Sequence, residues 1–435
     1  MPDQAYLLPQ FPREWLPEGH LAFFLQETVS TLEHTPILER YPGGRGPKAY
    51  HPQMLLTLLL YGYCTGVYSS RKMAAHCETD VASRVLSGGQ YPDFRTLSDF
   101  RKRHLEAFQG LFLEEVRLCC EAGLVRMGHL SLDGSKYQAN ASKHKAMSYG
   151  RNQDMEPQLE TEVRDLLQRA AAVAVDEVED AEHGSDHRGD ELPEELQRRE
   201  GRLDKIREAK RRLEERARSR ARERAGGRKA EPEQVAAAEA AAVPRAKEQS
   251  NFTDPDSRIM KTSHGWIQGY NAQVLVEEAS GVIVVQEVTA QSADSPRLRP
   301  GLERMEQDLA GLGVPEEECR PEVFTADAGY CSEANLGALA ERQIDAYVAT
   351  GRERHHRGGV GPQGRVRTPL RAAMRAKLQT PEGRALYARR KAITEPVHGQ
   401  IKQVRGLAKV QGEFTLVALT HNLLKLWRAA LAPAG

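Results

Sequence analysis

The sequence lacks both a cysteine arrangement that binds metal and a long apolar run. Its six cysteines form no Cys-x-x-Cys pair, so we expect reduced thiols in a cytosolic protein. No uninterrupted apolar run approaches the roughly 18 residues that would span a bilayer. The first residues contain no basic segment followed by an apolar one, as a secretory signal would. These absences predict a soluble, intracellular protein without a membrane partner.

The chain also has no net charge, because 61 basic residues balance 61 acidic ones. The charges are nevertheless segregated along the sequence. Residues 156–200 contain 15 acidic and 5 basic side chains, residues 201–229 contain 13 basic and 5 acidic, and residues 351–411 contain 15 basic and 3 acidic. Because Lys and Arg gain free energy by displacing counterions from phosphates, the last block predicts a polyanionic partner.

A length of 435 residues predicts two to three domains. Residues 1–125 contain three helical patterns, which cover 51–63 and begin again near 69 and 96, and the third has a basic face. Short helices joined by Gly-containing turns fit a helix-turn-helix arrangement that binds DNA. A purely structural or dimerising role is the alternative for this predicted N-terminal domain.

Residues 150–250 are highly charged and contain few apolar side chains. This composition predicts a helical insertion or linker, such as a loose helical hairpin that packs little. The alternative is an arm that contacts DNA through the basic residues between Lys205 and Arg224.

The segments 126–149 and 251–435 contain alternating strand and helix patterns. In order, these are a strand before Asp133, a β-hairpin over 274–288, a helix over 298–312, a strand before Asp327, a helix over 333–342, a strand over 345–349 and a helix that bears Glu395. This is the order of a ribonuclease H-like domain whose first strand is separated from the rest by the insertion. We therefore predict a mixed α/β fold with a ribonuclease H-like sheet and an N-terminal all-α domain.

Three carboxylates belong to these predicted elements. Asp133 and Asp327 each follow a short buried strand, and Glu395 lies on a helix. Two such Asp residues and a Glu could hold a pair of Mg²⁺ ions, which prefer oxygen ligands and promote in-line displacement at phosphorus. Each residue also has a simpler explanation, since Asp before Gly often ends a strand in a turn. Glu395 could likewise form a solvated salt-bridge ladder with Lys391 and Lys402.

A group of polar residues stands before and at the start of the hairpin. It comprises His264, Tyr270, Asn271 and Gln273. Their hydrogen-bonding groups could reach substrate phosphates, or they could fix the start of the hairpin.

Motifs along nearly the whole chain resemble bacterial insertion-sequence transposases of the DDE superfamily. The segments that carry the resemblance are Tyr50-His-Pro-Gln-Met, Ser69-Ser-Arg-Lys, Thr96-Leu-Ser-Asp-Phe-Arg-Lys-Arg-His104, Asp133-Gly-Ser-Lys136, Asn140-Ala-Ser-Lys-His-Lys145, Asp254-Pro-Asp-Ser-Arg258, His264-Gly-Trp-Ile-Gln-Gly-Tyr-Asn-Ala-Gln273, Thr325-Ala-Asp-Ala-Gly-Tyr330 and Glu395-Pro-Val-His-Gly-Gln-Ile-Lys402. Each segment alone is a weak signal, and together they are specific.

The resemblance implies that Asp133, Asp327 and Glu395 form a catalytic, metal-binding triad. The triad would hold two Mg²⁺ ions, for which Mn²⁺ can substitute, and Lys402 would contact DNA. Further DNA contacts are predicted for Lys391, Arg390, Lys136, Arg71, Lys72, Arg101 and Arg103.

The implied activity is cleavage at the ends of an insertion sequence and strand transfer into target DNA. The implied partner is double-stranded DNA, both the terminal inverted repeats and the target, with the protein bound as a homo-oligomer. The implied location is the bacterial cytoplasm, at the nucleoid when the protein is bound to DNA. A DNA-binding protein of transposase descent that does not cut, and a ribonuclease H-like nuclease without strand transfer, are the alternatives.

The sequence departs from the family pattern at two places on the last helix. Such families often place Tyr, Arg, Glu and Lys in fixed register there. Here Tyr387 lies one residue too far from Glu395, and Lys391 occupies the Arg place unless Arg390 serves. His398 stands where an aromatic residue such as Phe is expected. The roles of Tyr387, Arg390 and Lys391 are therefore open at this point.

Overall fold

The computed structural model describes residues 11–41, 50–179, 191–225, 232–262, 265–315, 317–351, 368–407, 409–410 and 413–432. Its helices are α1 (Leu21–Thr31), α2 (Thr35–Leu38), α3 (Pro52–Cys64), α4 (Ser70–Thr79), α5 (Val81–Leu86), α6 (Phe94–Arg103), α7 (Ala107–Glu121), α8 (Tyr149–Glu179), α9 (Glu191–Ala225), α10 (Pro232–Ala240), α11 (Leu298–Gly311), α12 (Glu333–Glu341), α13 (Pro369–Gln379), α14 (Pro381–Gly399) and α15 (Phe414–Leu431). Its strands are β1 (His129–Ala139), β2 (Ala146–Ser148), β3 (Gln249–Asn251), β4 (Arg258–Thr262), β5 (Gly265–Glu277), β6 (Ile283–Thr289), β7 (Val323–Ala326), β8 (Asp345–Val348) and β9 (Lys409–Val410).

The chain divides into two compact units. Unit 1 consists of Met1–Tyr137 together with Asn271–Gly435, and unit 2 consists of Gln138–Tyr270. The predicted mixed α/β fold with a helical N-terminal region is confirmed. Within the described ranges, no helix is both long and apolar enough to cross a membrane.

Five strands of the seven-stranded sheet have the order β6-β5-β1-β7-β8, while β4 also pairs with β5 and β9 with β1. Strands β5 and β6 form the predicted antiparallel hairpin, while β1, β7 and β8 are parallel. Counted along the chain, this order is third, second, first, fourth and fifth, as in ribonuclease H-like sheets. The side chains of β7 are buried and mostly apolar, as expected for a parallel strand covered on both faces.

Strand β1 is longer than the short strand expected before Asp133. It runs for 11 residues and includes Asp133 at its fifth position. Its parallel pairing with β7 nevertheless ends at Leu132, which lies opposite Ala326. Asp133 and Asp327 are therefore the next residues on two neighbouring parallel strands, which places them at one edge of this pairing.

The helices of residues 1–125 share one hydrophobic core with the C-terminal half of the chain. Leu56 and Leu59 of α3 and Phe112 of α7 are fully buried in the same cluster as Leu416 and Leu419 of α15. A second cluster covers the other face of the sheet with α11 and α12. The N-terminal helices and the sheet thus fold as one compact unit, although the sequence predicts separate domains there.

Unit 2 contains the predicted helical hairpin, formed by α8 and α9. The hairpin has its own apolar seam, which includes Leu159, Leu203 and Ile206. It is therefore better packed than the composition suggests. Many of its charges neutralise one another, with ion pairs at Arg199–Glu162, Arg207–Glu160, Lys210–Glu156 and Arg220–Glu248. These pairs reduce the cationic surface available to the predicted DNA-contacting arm.

Candidate active site

Asp133 and Asp327 come together in unit 1, where the parallel pairing of β1 with β7 ends. The Asp133 side chain is 19% exposed, and Asp327 is the residue directly after β7. The Asp327 carboxylate accepts a hydrogen bond from the backbone N–H of Gly329 at 2.7 Å. This bond caps a short helical turn and fixes the direction of the side chain. Local structure thus holds the two predicted carboxylates beside each other.

The environment of the pair disfavours negative charge. Burial raises the pKa of Asp133 to about 6, with the nearby Asp327 carboxylate acting in the same direction and Arg390 opposing both. Burial also raises the pKa of Asp327, and Asp294 adds to the effect. Two carboxylates with raised pKa values at one position are typical of a functional site.

Helix α14 presents one face to Asp133. An Arg390 guanidinium nitrogen, Nη1, lies 3.6 Å from Asp133 Oδ1, and His398 Nε2 lies 4.0 Å from Oδ2. Between them, Thr394 lies close enough to lower the pKa of the same carboxylate, and its hydroxyl donates to the Arg390 carbonyl at 3.3 Å. These three residues recur at four-residue intervals, so they form one stripe of the helix. His398 is neutral, because burial lowers its pKa to about 3 and Lys402 acts in the same direction.

Glu395, the predicted third carboxylate, is exposed to solvent and lies outside this stripe. In the part of the chain that the structure describes, no group of three or more His, Cys, Asp or Glu side chains is placed to hold a metal ion. The structure therefore assembles two members of the predicted triad and leaves the third apart. The physical reason is helical phase, since Glu395 is rotated by about 100° from its neighbour Thr394.

Asp294 is a residue of this site that the sequence did not reveal. Its Oδ1 accepts hydrogen bonds from Asn271 Nδ2 at 2.7 Å and from Gln273 Nε2 at 3.0 Å. Lys136 Nζ lies 3.7 Å from the same oxygen. Gln273 also accepts a hydrogen bond from the Tyr330 hydroxyl. Asn271 and Gln273 therefore have the structural role that was one of their two predicted alternatives.

Two glycines allow Asp294 to approach the aspartate pair. A Cβ atom on Gly134 would lie 2.7 Å from Asp294 Oδ1 and 2.3 Å from Gln273 Nε2. A Cβ atom on Gly329 would lie 2.9 Å from Asp327 Oδ1 and 3.2 Å from Asp294 Oδ2. The glycine after each predicted catalytic Asp is thus explained by close packing. These two glycines were the feature of the sequence that could have indicated a third side chain close to the aspartate pair.

The predicted DNA-binding residues near the pair have different surroundings. Lys402 is half-buried, and its Nζ donates to Ser135 Oγ at 2.5 Å and to the Lys136 carbonyl at 3.0 Å. It also lies 4.4 Å from the centre of the Tyr137 ring, and burial lowers its pKa. Lys402 therefore contacts β1, and its predicted contact with DNA stays a prediction. Lys391 is exposed on α14.

The predicted DNA-binding residues of the N-terminal helices also differ from one another. Arg71, Lys72 and Arg103 are exposed, and Arg71 covers the Phe94 ring at 5.0 Å. Arg101 is instead only 15% exposed, and it pairs with Glu413 at 3.1 Å. Its guanidinium also donates to the Tyr63 hydroxyl and the Tyr68 carbonyl. Arg101 therefore has an internal structural role, and its predicted contact with DNA stays a prediction.

Two polar candidates, Tyr270 and His264, remain. Tyr270 belongs to unit 2, where its hydroxyl donates to Asp254 Oδ1 at 2.6 Å. His264 lies outside the described residues.

Two family models match the chain. Residues 11–103 match the family described as Transposase domain (DUF772), and residues 231–423 match the family described as Transposase DDE domain. Together the matches cover about two thirds of the sequence. The chain belongs to the DDE transposases of insertion sequences. The match to the DDE domain includes Asp294, Asp327, Glu395 and Lys402, and it begins after Asp133. Neither the curated proteins nor the solved structures contain a match.

The family assignment agrees with the ribonuclease H-like sheet and identifies DNA as the class of substrate. In this transposase, the aspartate pair lies on the strands of that sheet, and the exposed cations Arg71, Lys72 and Arg103 lie in the N-terminal region that the first model matches.

Arg101 and Arg103 offer a matched test of which N-terminal cations contact DNA. Arg103→Ala should weaken binding to all DNA sequences similarly and lower the slope of log affinity against log salt by about one unit. Arg101→Ala should mainly destabilise the fold, by about 1–3 kcal/mol, because it leaves the Glu413 carboxylate without its partner. Fluorescence anisotropy at several salt concentrations, together with thermal melts, measures both effects. Equal salt slopes for wild type and Arg103→Ala would exclude the Arg103 contact.

Proposed function

We propose that the chain cuts DNA at the ends of its own mobile element and joins the freed 3′-hydroxyl to target DNA. The observation that carries this proposal is the pairing of Asp133 and Asp327 on neighbouring parallel strands, in a chain with a transposase DDE domain. Hydrolysis and joining are the same in-line displacement at phosphorus, with water or a DNA hydroxyl as the nucleophile. One site can therefore serve both steps without a covalent protein–DNA intermediate.

DDE domains in general use divalent metal ions. Asp133 and Asp327 fit such an ion, because they are oxygen ligands held side by side in a buried setting that raises the pKa of both. Glu395 does not fit in the described conformation, since it is exposed. We propose a pair of Mg²⁺ ions, or Mn²⁺ in their place, held first by the two aspartates. When bound, such ions activate an attacking oxygen and stabilise a leaving oxygen.

The side chains around the pair could orient a phosphodiester. Arg390 lies beside Asp133, and Lys402 contacts the Ser135 hydroxyl and the Lys136 carbonyl further along β1. Cations at this distance can hold the non-bridging oxygens of a phosphate through charge-assisted hydrogen bonds. Arg390 Nε is buried and has no hydrogen-bond partner among the described residues, so it is available to a substrate oxygen.

The proposed substrates are the terminal inverted repeats and the target DNA, bound by a homo-oligomer. Support comes from the transposase family match over the N-terminal helices and from their exposed cations. The overall charge of the chain is zero, so binding must depend on such local clusters.

The proposal is tested by cleavage at defined ends. Inverted repeats in the DNA that flanks the gene supply the substrate, and the purified chain is incubated with it in Mg²⁺. We expect nicks at the repeat boundary that leave a 3′-hydroxyl, and none on DNA with scrambled repeats. Degradation without a preferred position would indicate an ordinary nuclease. Binding to the repeats without cleavage would indicate a transposase-derived DNA-binding protein.

A further inference from the structure

The disagreement between the exposed position of Glu395 and its predicted role has a geometric origin in α14. Arg390, which faces Asp133, precedes Glu395 by five residues. On a regular α-helix, residues four apart share a face, so the position that follows Arg390 on this face is Thr394. Thr394 is fully buried and lies next to Asp133, whose pKa it lowers. Arg390 and Glu395 therefore cannot both face the aspartates while the helix between them is regular.

A wide turn directly follows α14. Residues Gln400–Val404 form a π-helical turn, in which the Arg405 N–H donates to the Gln400 carbonyl at 2.8 Å, five residues back. Such a turn accommodates one residue more than an α-helical turn. This turn therefore already holds one extra residue, which offsets the helical phase of Lys402 from that of Glu395.

Helix α14 lacks a hydrogen bond next to Glu395, at the position where a wide turn would rotate Glu395 toward the aspartates. Pro396 lies inside α14, and it has no N–H to donate to the Ala392 carbonyl. One α-helical hydrogen bond is therefore already missing next to Glu395. A wide turn placed there loses fewer hydrogen bonds than it would elsewhere in the helix.

We propose that Glu395 joins Asp133 and Asp327 through a one-residue shift of helical register within α14. In this shift, the wide turn moves from Gln400–Val404 to the level of Pro396. Glu395 then takes the position that Thr394 occupies in the described conformation. This inference rests on the proposed function, namely that the two aspartates bind a divalent metal ion.

The shift is local because both of its flanks are anchored. On one side, Arg390 is held near Asp133, and on the other side Lys402 is held by Ser135 and the Lys136 carbonyl. Only residues 395–400 rotate, by about 100°. Val397, which is 2% exposed, would leave the core during the rotation, and His398 would lose its hydrogen bond with the Tyr137 hydroxyl. The described register is therefore the stable one until an ion supplies the compensating free energy, and the shift lowers the apparent metal affinity.

The test measures binding of Mn²⁺ alone by electron paramagnetic resonance, and hydrogen exchange of residues 391–405 with and without Mn²⁺. In the wild type, Mn²⁺ should slow exchange over 400–405 and quicken it over 391–396. Glu395→Gln should bind Mn²⁺ about tenfold more weakly or worse and lose both exchange changes. The matched control Glu382→Gln, which alters another exposed glutamate of α14, should behave like the wild type.

A swap of neighbouring residues tests the register itself. The double variant Thr394→Glu, Glu395→Thr places a carboxylate on the face that already meets Asp133. It should bind Mn²⁺ at least as tightly as the wild type, without the exchange changes at 391–405. If the swapped protein does not fold, the comparison of wild type with Glu395→Gln decides the question.

Two results would overturn the inference. Glu395→Gln that binds Mn²⁺ like the wild type, with Asp133→Asn losing binding, would exclude the shift and leave the proposed function intact. Asp133→Asn that also binds Mn²⁺ like the wild type would overturn the metal site and the inference together.

Discussion

Replacing Asp133 by Asn should abolish end cleavage and at the same time stabilise the metal-free protein. A ligand of the proposed metal ions contributes several kcal/mol to the transition state, so we expect cleavage to fall at least about a thousandfold. Burial raises the pKa of this carboxyl group from 3.8 to about 6, so its ionisation opposes folding at neutral pH. The neutral amide avoids this penalty, which is on the order of 1–3 kcal/mol.

The stability gain should depend on pH in a defined direction. The pKa of Asp133 is raised on folding, so the native state is favoured below pH 3.8 and loses this contribution as the pH rises through about 6. Asp133→Asn should therefore melt at the wild-type temperature near pH 4 and a few degrees higher at pH 8. Thermal melts in a metal chelator measure this difference.

Asp327→Asn should lose cleavage in the same way, because its carboxylate is the second member of the pair. The exposed residue Asp204 in unit 2 provides the control, and Asp204→Asn should change neither activity nor the melting temperature. Cleavage by Asp133→Asn within tenfold of the wild type would remove Asp133 from the site. A lower melting temperature at pH 8 would show that the carboxylate is stabilising there.

Replacing Arg405 by Met should produce the largest loss of stability. Arg405 is 7% exposed and links α3 to α15. Its guanidinium donates to the Tyr63 carbonyl at 2.9 and 3.2 Å, to the Val417 carbonyl at 3.2 Å and to the Thr420 hydroxyl. Hydrogen bonds from a charged donor contribute about 1.5–3 kcal/mol each, and the Tyr63 carbonyl near the end of α3 would keep only the long hydrogen bond from the Gly66 N–H at 3.4 Å. We expect a loss of about 3 kcal/mol or more.

Hydrogen exchange of the amides in α3 and α15 measures this loss within unit 1. Both helices should become less protected together, because they share one core. Arg405→Lys should be intermediate, since it keeps the charge without the planar arrangement of donors. Protection lost in only one of the two helices would contradict the single compact unit described for residues 1–137 and 271–435.

The order of the strands and the pairing of Asp133 with Asp327 could be predicted from the sequence. Apolar runs of strand length mark β1 and β7, and the carboxyl ends of parallel neighbours meet at one edge of a sheet. The bounds of α11 and α12 follow from local periodicity for the same reason, whereas the first strand of the hairpin begins at Gly265, well before its predicted start at residue 274. These features depend mainly on nearby residues, so one sequence is sufficient.

The features that the sequence did not reveal depend on tertiary contacts. Asp294 follows a polar stretch without periodicity, and its partners Asn271 and Gln273 lie more than 20 residues away. Arg101 and Arg103 are two residues apart in a basic segment, and only their packing separates the internal cation from the exposed one. Whether Glu395 faces the aspartates depends on a shift of one residue in helical register. The position of the π-helical turn and the contact of Arg390 with Asp133 fix that register.

Strand transfer by a pre-cleaved end tests the central claim most directly. A DNA duplex that ends in the terminal repeat with a free 3′-hydroxyl is incubated with target DNA, Mg²⁺ and either the wild type or Asp327→Asn. We expect covalent joining of the 3′-hydroxyl to the target by the wild type, and at least about a thousandfold less joining by the variant. Equal joining by both proteins would contradict the role of the aspartate pair, and degradation of the end without joining would contradict transposition.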